Sequence, residues 1–220
     1  FCSFAVVFSA RLLGIPTAIQ EQNCIPGITN RLLYRFSKIV FTAFKNTRGF
    51  EDPEKVMHTG NRIRKNRAAA SFDTVKGRDM NTDRFTILIT GGSQGARSIN
   101  RAVVQAVSLL SDKKNLYLIH QTGNADEKQI QEDYRQLDVE HRVQAFFTDM
   151  PQQQDSSDLV ICRAGAGTLF ELAAKGLPAI LIPYPHAADD HQTANAAEVE
   201  NKGAGIMIKE TQLTPRKLAE

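Results

Sequence analysis

The sequence predicts an α/β fold of parallel sheets, because apolar strands and helical segments alternate along most of its 220 residues. Two strand–turn–helix units carry this prediction. In one, the apolar run Phe85–Thr90 leads into Gly91–Gly95 and a helix over 96–110; in the other, Asp158–Cys162 leads through a second glycine turn into a helix that stops at Gly176. A strand, a helix and a further apolar strand form a βαβ unit, whose sheet binds ligands beyond the carboxyl ends of its strands.

The elements follow one another without an internal repeat. Before residue 65 we predict helices over 3–13 and from Thr29 or Asn30 to Phe36, and strands over 17–19, 39–44 and 56–59. After residue 84 we predict strands over 85–90, 116–120, 143–147, 158–162, 179–183 and 205–208, and helices over 96–110, over 125–137 and between Thr168 and Gly176. About six strands in the second group are enough for one complete doubly wound domain.

Residues 65–84 are polar, charged and without a sustained period, which is typical of an interdomain connection. We therefore predict an amino-terminal part over 1–65, a connection over 66–84 and a carboxyl-terminal domain over 85–220. The chain begins inside an apolar run, and its first part lacks the early strands of a full sheet, so we expect the chain to be truncated.

Composition excludes several classes of protein. A chain that is 42% hydrophobic and 23% charged is typical of a globular protein, and its net charge of +3 is too weak to argue for nucleic-acid binding. No stretch reaches the roughly 18 apolar residues of a membrane span. Cys2, Cys24 and Cys162 have neither metal-ligand nor disulfide-framework spacing, which favours a reducing compartment.

The turn Gly91–Gly95 stands where a phosphate-binding loop belongs, between a strand and a helix. It is not a P-loop, since no Gly-Lys-Ser/Thr closes it, and its glycines lack the G-x-G-x-x-G spacing of dinucleotide sites. Backbone N–H groups at a helix N-terminus bind anions, and Ser93 and Gln94 add donors. A tight turn without a ligand is the alternative.

Two further polar positions admit two interpretations each. Glu171 follows Thr168 by three residues, the spacing of a capping box, so it either caps its own helix or accepts hydrogens from sugar hydroxyls. Two histidines and two aspartates within residues 186–191 suggest a metal site, but this run follows a Pro-Tyr-Pro loop rather than lying on a fixed helix or strand face. We therefore predict no metal there.

Three motifs together resemble one family. Glu21-Gln22-Asn23 with the following Pro26-Gly27 and Thr29-Asn30, then ITGGSQGAR at 89–97, then CRAGAGTLFELAAKGLPAILIPYPHAADDHQTANA at 162–196 resemble the MurG family of glycosyltransferase family 28. Its members are UDP-N-acetylglucosamine:undecaprenyl-pyrophosphoryl-muramyl-pentapeptide glucosaminyltransferases of bacterial peptidoglycan synthesis. The resemblance implies a GT-B fold of two Rossmann-like doubly wound domains, the first incomplete in this chain. It also implies that residues 85–220 hold most of the UDP-sugar and that the chain is truncated at both ends.

The resemblance further implies which residues bind the substrates. Ser93 and Gln94 would lie against the diphosphate, Glu171 would take the ribose hydroxyls, and Phe147 would lie beside the uracil. The other implied positions are Arg163 and Thr168 along the nucleotide, His191 and Gln192 facing the sugar, Asn23 reaching the sugar from the first domain, and Arg64 near the domain junction. No catalytic residue is assigned within the chain, because the family's candidate base lies in an earlier glycine-rich loop.

The implied reaction is an inverting transfer that needs no metal ion and no cofactor. The 4-hydroxyl of the muramyl sugar attacks the anomeric carbon as UDP departs, and helix N-termini stabilise the charge on the diphosphate. The polyprenyl acceptor implies a peripheral enzyme on the cytoplasmic face of the bacterial inner membrane. The residues expected to face that membrane are Phe4, Val7, Phe8, Arg31, Arg35 and Lys38; an ordinary core helix is the alternative for the two phenylalanines.

Two alternatives stay open. The family's second glycine-rich loop would fall at residues 1–5, yet FCSFA contains no glycine. A related GT-B transferase with another acceptor, or a non-catalytic nucleotide-sugar-binding fragment, is therefore compatible with the same motifs.

Overall fold

The computed structural model describes residues 4–63 and 84–220, which form two parallel sheets. Arg64 and the predicted connection up to residue 83 lie outside the described residues. The helices are α1 (Phe4–Leu12), α2 (Ile28–Leu33), α3 (Arg97–Leu109), α4 (Glu127–Gln136), α5 (Met150–Asp155), α6 (Ala166–Lys175), α7 (His191–Glu200) and α8 (Pro215–Ala219), with 3-10 turns at Pro53–Lys55, Ala188–Asp190 and Glu210–Gln212. The strands are β1 (Ala18–Glu21), β2 (Ile39–Thr42), β3 (Val56–His58), β4 (Phe85–Thr90), β5 (Leu116–Gln121), β6 (Glu140–Gln144), β7 (Leu159–Cys162), β8 (Ala179–Leu181) and β9 (Gly205–Met207).

The first sheet has the order β1-β2-β3 and is parallel, with Val40 of β2 opposite Ile19 of β1 and Val56 of β3. Ile19, Leu33 of α2 and Val40 form a small buried cluster. The neighbouring helix α1 buries none of its residues. Within the described ranges, none of the helices has the length and hydrophobicity needed to span a bilayer.

The second sheet has the order β6-β5-β4-β7-β8-β9 and is also parallel. Neighbouring residues of β4 point to opposite faces, so Leu88 belongs to one buried cluster and Ile89 to another. Helices α3 and α4 pack on the Ile89 face, and α6 packs on the Leu88 face. The α/β prediction is confirmed. The strand order reverses between β4 and β7, the place where doubly wound sheets bind ligands.

The two sheets share part of a core. Cys24, Ala43 and Phe44 follow strands of the first sheet but belong to the buried cluster around Leu88 of the second. The Phe44 ring lies 5.0 Å from the Phe170 ring of α6, in an edge-to-face arrangement. The carboxyl ends of the first sheet are therefore packed against helix α6 of the second.

Three element boundaries correct the sequence prediction. Helix α6 begins at Ala166 with Gly165 as its N-cap, which makes Thr168 the third residue and Glu171 the sixth. The capping-box interpretation of Glu171 is therefore wrong. The strand predicted over 143–147 ends at Gln144, so Phe147 lies beyond it.

Helix α2 begins at Ile28 rather than at Thr29 or Asn30. Asn30 does not cap the helix, because it is the third helical residue; its amide Nδ2 donates to the Glu21 Oε2 at 2.8 Å.

Candidate functional site

A cavity of about 640 Å³ opens at the carboxyl ends of β4 and β7, where the strand order reverses. The glycine turn after β4 forms one wall, and the N-terminus of α6 forms another. Tyr184, from the loop after β8, and Glu210, from the turn after β9, complete the lining. A volume of several hundred Å³ is typical of small-molecule and cofactor sites.

The glycine turn is pressed against the backbone that follows β5. A Cβ atom on Gly95 would lie 1.9 Å from the Thr122 carbonyl O, and one on Gly123 would lie 2.3 Å from the Gln94 carbonyl O. Both glycines also have φ above +70°, a left-handed conformation that side chains disfavour. Ser93 and Gln94 are exposed at the tip of the turn, so the backbone contacts hold the turn while its side chains remain available to a ligand.

The N-terminus of α6 faces the cavity. Its N-cap, Gly165, has an extended backbone and no side chain to accept a hydrogen bond from the first turn. Gly165 and Thr168 both line the cavity. The first N–H groups of a helix have no partner within the helix and carry a partial positive charge. This wall of the cavity therefore suits an anion.

Arg163, directly after β7, is held by protein groups. Its guanidinium Nη1 donates to the carbonyl O atoms of Ile182 at 3.2 Å and Pro183 at 3.1 Å. The same nitrogen forms an ion pair with Glu210, and Nη2 lies 3.3 Å from Ser98 Oγ. Arg163 thus closes one side of the cavity with its charge already balanced by a carboxylate.

The structure brings four predicted residues together along this cavity: Gln94, Arg163, Thr168 and Gln192. Gln192 is fixed by its Oε1, which accepts the Tyr184 backbone N–H at 3.0 Å. Its amide nitrogen is thereby turned away from that loop. Ser93 lies beside Gln94 on the same turn.

Glu171 and His191 are close in sequence to lining residues but are not among those that line the cavity in the described ranges. Glu171 is half-buried on α6, three residues beyond Thr168. His191 begins α7, and its Nδ1 lies 2.7 Å from the Ala188 carbonyl O.

The structure corrects the prediction for Phe147. Its ring is 1% exposed and lies beneath Arg142, whose guanidinium carbon is 5.1 Å from the ring centroid. A buried ring cannot lie against a nucleobase. The exposed ring on this loop belongs to Phe146, which is 54% exposed. The burial of Phe147 therefore contradicts its expected position beside the uracil.

Asn23 lies where the two sheets meet. Its Oδ1 accepts a hydrogen bond from Asn195 Nδ2 at 3.0 Å, and Glu21 Oε1 accepts the Asn23 backbone N–H at 2.9 Å. Asn195 is fully buried and also joins Cys24 to Ala164: its Oδ1 accepts the Cys24 N–H at 2.9 Å, and its Nδ2 donates to the Ala164 carbonyl O at 3.2 Å. Because Ala164 lies between Arg163 and Gly165, these bonds connect the first sheet to the cavity wall.

Burial shifts the pKa values of two thiols and of one imidazole in the cores around the site. It raises the pKa of the Cys162 thiol to about 12, and burial together with Glu198 raises that of Cys24 to about 12. It lowers the pKa of His120 to about 3. At neutral pH these thiols are protonated and this imidazole is uncharged, so neither thiol is an activated nucleophile. In the described part of the chain, no group of three or more His, Cys, Asp and Glu side chains is placed to hold a metal ion.

Comparison with known proteins decides the family. The model of the glycosyltransferase family 28 C-terminal domain matches residues 86–220, more than half of the chain. The chain belongs to glycosyltransferase family 28. The matched range begins one residue after the start of β4 and covers the rest of the second sheet with its cavity.

Relatives of this family 28 chain match along its full length. The UDP-N-acetylglucosamine–N-acetylmuramyl-(pentapeptide) pyrophosphoryl-undecaprenol N-acetylglucosamine transferases of Myxococcus xanthus and Neisseria meningitidis are each 42% identical over 100% of the chain. The chain covers 57% and 61% of these two proteins, so it spans about three fifths of the curated relatives. The crystal structure of Acinetobacter baumannii MurG is similar with a TM-score of 0.83 and 33% identity, covering 100% of this chain and 62% of that one.

The family 28 cavity also contains residues that the sequence interpretation missed, namely Thr90, Tyr184 and Glu210. Tyr184 carried a weak signal, because an aromatic residue between two prolines follows an apolar strand. Glu210 carried none, since its ion pair with Arg163 joins residues 47 positions apart.

Proposed function

We propose that this protein is an inverting glycosyltransferase that moves N-acetylglucosamine from UDP-N-acetylglucosamine to a polyprenyl-pyrophosphoryl muramyl-pentapeptide. The observation that carries the proposal is the cavity between the glycine turn and the N-terminus of α6. An anion site of this kind suits a nucleoside diphosphate. The donor and acceptor come from the relatives' names, at 42% identity over the whole chain.

In the proposed site, the diphosphate lies between the glycine turn with Ser93 and Gln94 and the α6 N–H groups near Thr168. As UDP departs, negative charge grows on its phosphate oxygens. N–H groups that are already oriented stabilise this charge without having to reorganise, and the effect is greater inside a cavity than in bulk water. This arrangement requires neither a metal ion nor a cofactor.

The other roles follow from position. Glu171 takes the ribose hydroxyls, Gln192 and His191 face the sugar, and Asn23 reaches the sugar from the first sheet. We propose Phe146 as the ring beside the uracil, in place of Phe147, because its ring is exposed and Phe147's is buried. Arg163 borders the nucleotide as a fixed wall. No described residue is assigned as the base.

We also propose a role for each part of the chain. Residues 1–65 belong to the acceptor side, residues 66–84 connect, and residues 85–220 bind the donor. The shared core around Phe44 is what keeps Asn23 within reach of the donor side.

Peripheral contact with the cytoplasmic face of the inner membrane is part of the proposal. Phe4 and Phe8 stack with ring centroids 5.7 Å apart, and both meet Phe36 edge-on. The first two rings are nevertheless 43% and 37% exposed, so they do not behave as core residues. Exposed aromatic rings beside the basic residues Arg35 and Lys38 suit an anionic membrane surface.

The decisive experiment is calorimetric titration of the chain with UDP-N-acetylglucosamine, UDP, ADP and NAD, without added metal. We expect the two uridine ligands alone to bind. Glu171→Ala should weaken them about 10- to 100-fold, the effect of losing charge-assisted hydrogen bonds. Glu132→Ala, which removes an exposed glutamate from α4, is the matched control and should bind like the wild type.

Binding of ADP or NAD in place of uridine ligands, or no binding at all, would contradict the proposal. Release of UDP in the presence of the lipid-linked muramyl-pentapeptide then tests the acceptor. Donor binding without such release would favour the alternatives, a transferase with another acceptor or a nucleotide-sugar-binding fragment.

A further inference from the structure

Gln121, the last residue of β5, is a buried amide that joins three separate segments around the cavity. Its Nε2 donates to the Gly92 carbonyl O at 2.9 Å and lies 3.3 Å from Thr90 Oγ1. Its Oε1 accepts the Phe147 backbone N–H at 2.9 Å. The side chain is 2% exposed, so water does not replace these bonds when one is lost.

The orientation of this amide is fixed by its partners. A backbone carbonyl can only accept and a backbone N–H can only donate, so the nitrogen must face Gly92 and the oxygen must face Phe147. Gln121 therefore sets the distance between two loops: the glycine turn after β4, and the loop after β6 that carries the exposed Phe146 ring.

We propose that Gln121 is a positioning residue that holds the diphosphate-binding turn and the nucleobase-binding loop at the spacing of one nucleoside diphosphate. The inference rests on the proposed function, because it takes the ligand to be a uridine diphosphate sugar that touches both loops. Gln121 itself does not touch the ligand. It acts through the backbone atoms of Gly92 and Phe147.

This role makes a specific demand on the side chain. It must donate on one side and accept on the other, at the length of a glutamine. Gln121→Glu keeps the acceptor for Phe147, but when ionised it places a negative oxygen against the Gly92 carbonyl. A protonated carboxyl group restores the donor. Because the site is buried and faces the Gly92 carbonyl oxygen, the pKa of the introduced carboxyl will be raised, so protonation is reached at mildly acidic pH.

The experiment measures binding of UDP-N-acetylglucosamine and of uridine to the wild-type chain, Gln121→Glu, Gln121→Met and the exposed-site control Gln105→Glu. Titrations run at pH 7.5 and pH 5.5, and each variant is compared with the wild type at the same pH. The diphosphate of UDP-N-acetylglucosamine is esterified on both phosphates, so its charge does not change over this range. Thermal melting verifies that each variant is folded.

At pH 7.5 we expect Gln121→Glu and Gln121→Met to bind UDP-N-acetylglucosamine about 5- to 100-fold more weakly, the equivalent of one or two lost buried hydrogen bonds. Uridine, which contacts the nucleobase loop and, through its ribose, Glu171 but lacks the diphosphate that the glycine turn binds, should keep its affinity. At pH 5.5 the glutamate variant should recover toward the wild type, and the methionine variant should not.

Three results would overturn the inference: wild-type affinity in both Gln121 variants, an equal loss for uridine and UDP-N-acetylglucosamine, or no recovery of Gln121→Glu at pH 5.5. The second of these would indicate general disorder of the site rather than spacing between loops. A wild-type chain that binds neither uridine ligand would instead overturn the proposed function, and the inference with it.

Discussion

Residues 4–63 and residues 84–220 are built alike from parallel strands, yet they bury their side chains differently. The second sheet has a buried cluster on each face, supplied by α3 and α4 on one side and by α6 on the other. The first sheet has a cluster of Ile19, Leu33 and Val40, and its helix α1 buries none of its residues. Parallel sheets normally need cover on both faces. The residues directly after β1 and β2, namely Cys24, Ala43 and Phe44, are instead buried in the core of the second region.

The contact between the regions therefore supports the structure of the first sheet. Phe44 packs on Phe170, and Asn195 bonds to Asn23 and Cys24, so the first sheet is anchored next to the proposed donor site. This difference indicates that the smaller region depends on the larger one for its stability, while the larger region has a core of its own.

The strongest test of this dependence is Phe44→Ala. The substitution removes a ring that is 6% exposed and in contact with Phe170, and it should lower the free energy of unfolding by about 3 kcal/mol. Hydrogen exchange should show the loss mainly over β1–β3. Phe85→Ala, at a ring that is 48% exposed at the start of β4, is the matched control and should have a smaller effect. Equal loss of protection in both sheets would mean that the regions unfold as one unit.

Acid, in contrast, should destabilise the larger region. His120 is fully buried between Tyr134 OH at 2.8 Å and Asn100 Oδ1 at 3.0 Å, and burial lowers its pKa to about 3. The unfolded chain binds a proton at this histidine near pH 6.5, whereas the folded chain does so only near pH 3. The free energy of unfolding therefore has its full value above pH 6.5 and decreases as the pH falls. From pH 7 to pH 5 the free energy of unfolding should drop by about 2 kcal/mol through this residue.

Urea unfolding at pH 5, 6 and 7 measures this slope. His120→Gln should be less stable than the wild type at pH 7 but should lose less stability on acidification. His186→Gln removes an exposed histidine and controls for the change of residue type. A slope unchanged by His120→Gln would show that other groups cause the acid sensitivity.

The smallest effect should come from the ion pair between Arg31 of α2 and Asp189, which crosses from one region to the other. Both side chains are more than 40% exposed, so Asp189→Asn should cost about 0.5 kcal/mol or less and nothing at high salt. Asp189 has φ +52°, which asparagine also tolerates. Asp138→Asn, at φ +50° within the larger region, is therefore the matched control for the backbone. A salt-independent loss would indicate a role other than charge pairing.

The sequence predicted the parts of the fold that local patterns determine. The strand Phe85–Thr90 was predicted at its observed bounds, and Gly176 ends α6 in the left-handed conformation expected of a helix C-terminus. The start of α6 was wrong because Thr168 and Glu171 match a capping box in spacing, while the chain turns at Gly165. The α/β class followed from the alternation of strands and helices, and the division into two parts was expected from the polar stretch over 65–84 and from the family resemblance.

The sequence predicted some of the residues that line the candidate site, but not the hydrogen bonds that connect the site to the rest of the fold. Gln94, Arg163, Thr168 and Gln192 do line one cavity. Phe147 was expected beside the uracil from the family resemblance, and a sequence motif does not reveal which of two adjacent rings is buried. Gln121 and Asn195 carried no signal, since their roles depend on backbone partners that are brought close only by the strand order.

Two buried cysteines allow the opening of each part of the described structure to be measured separately. Cys24 lies at the junction of the sheets and Cys162 at the end of β7 inside the larger core, and both thiols have pKa values raised to about 12. Neither reacts with an alkylating reagent until its surroundings open, because only an exposed thiolate is nucleophilic. The alkylation rate at Cys24 then reports how often the two sheets separate, and the rate at Cys162 reports how often the core of the larger region opens.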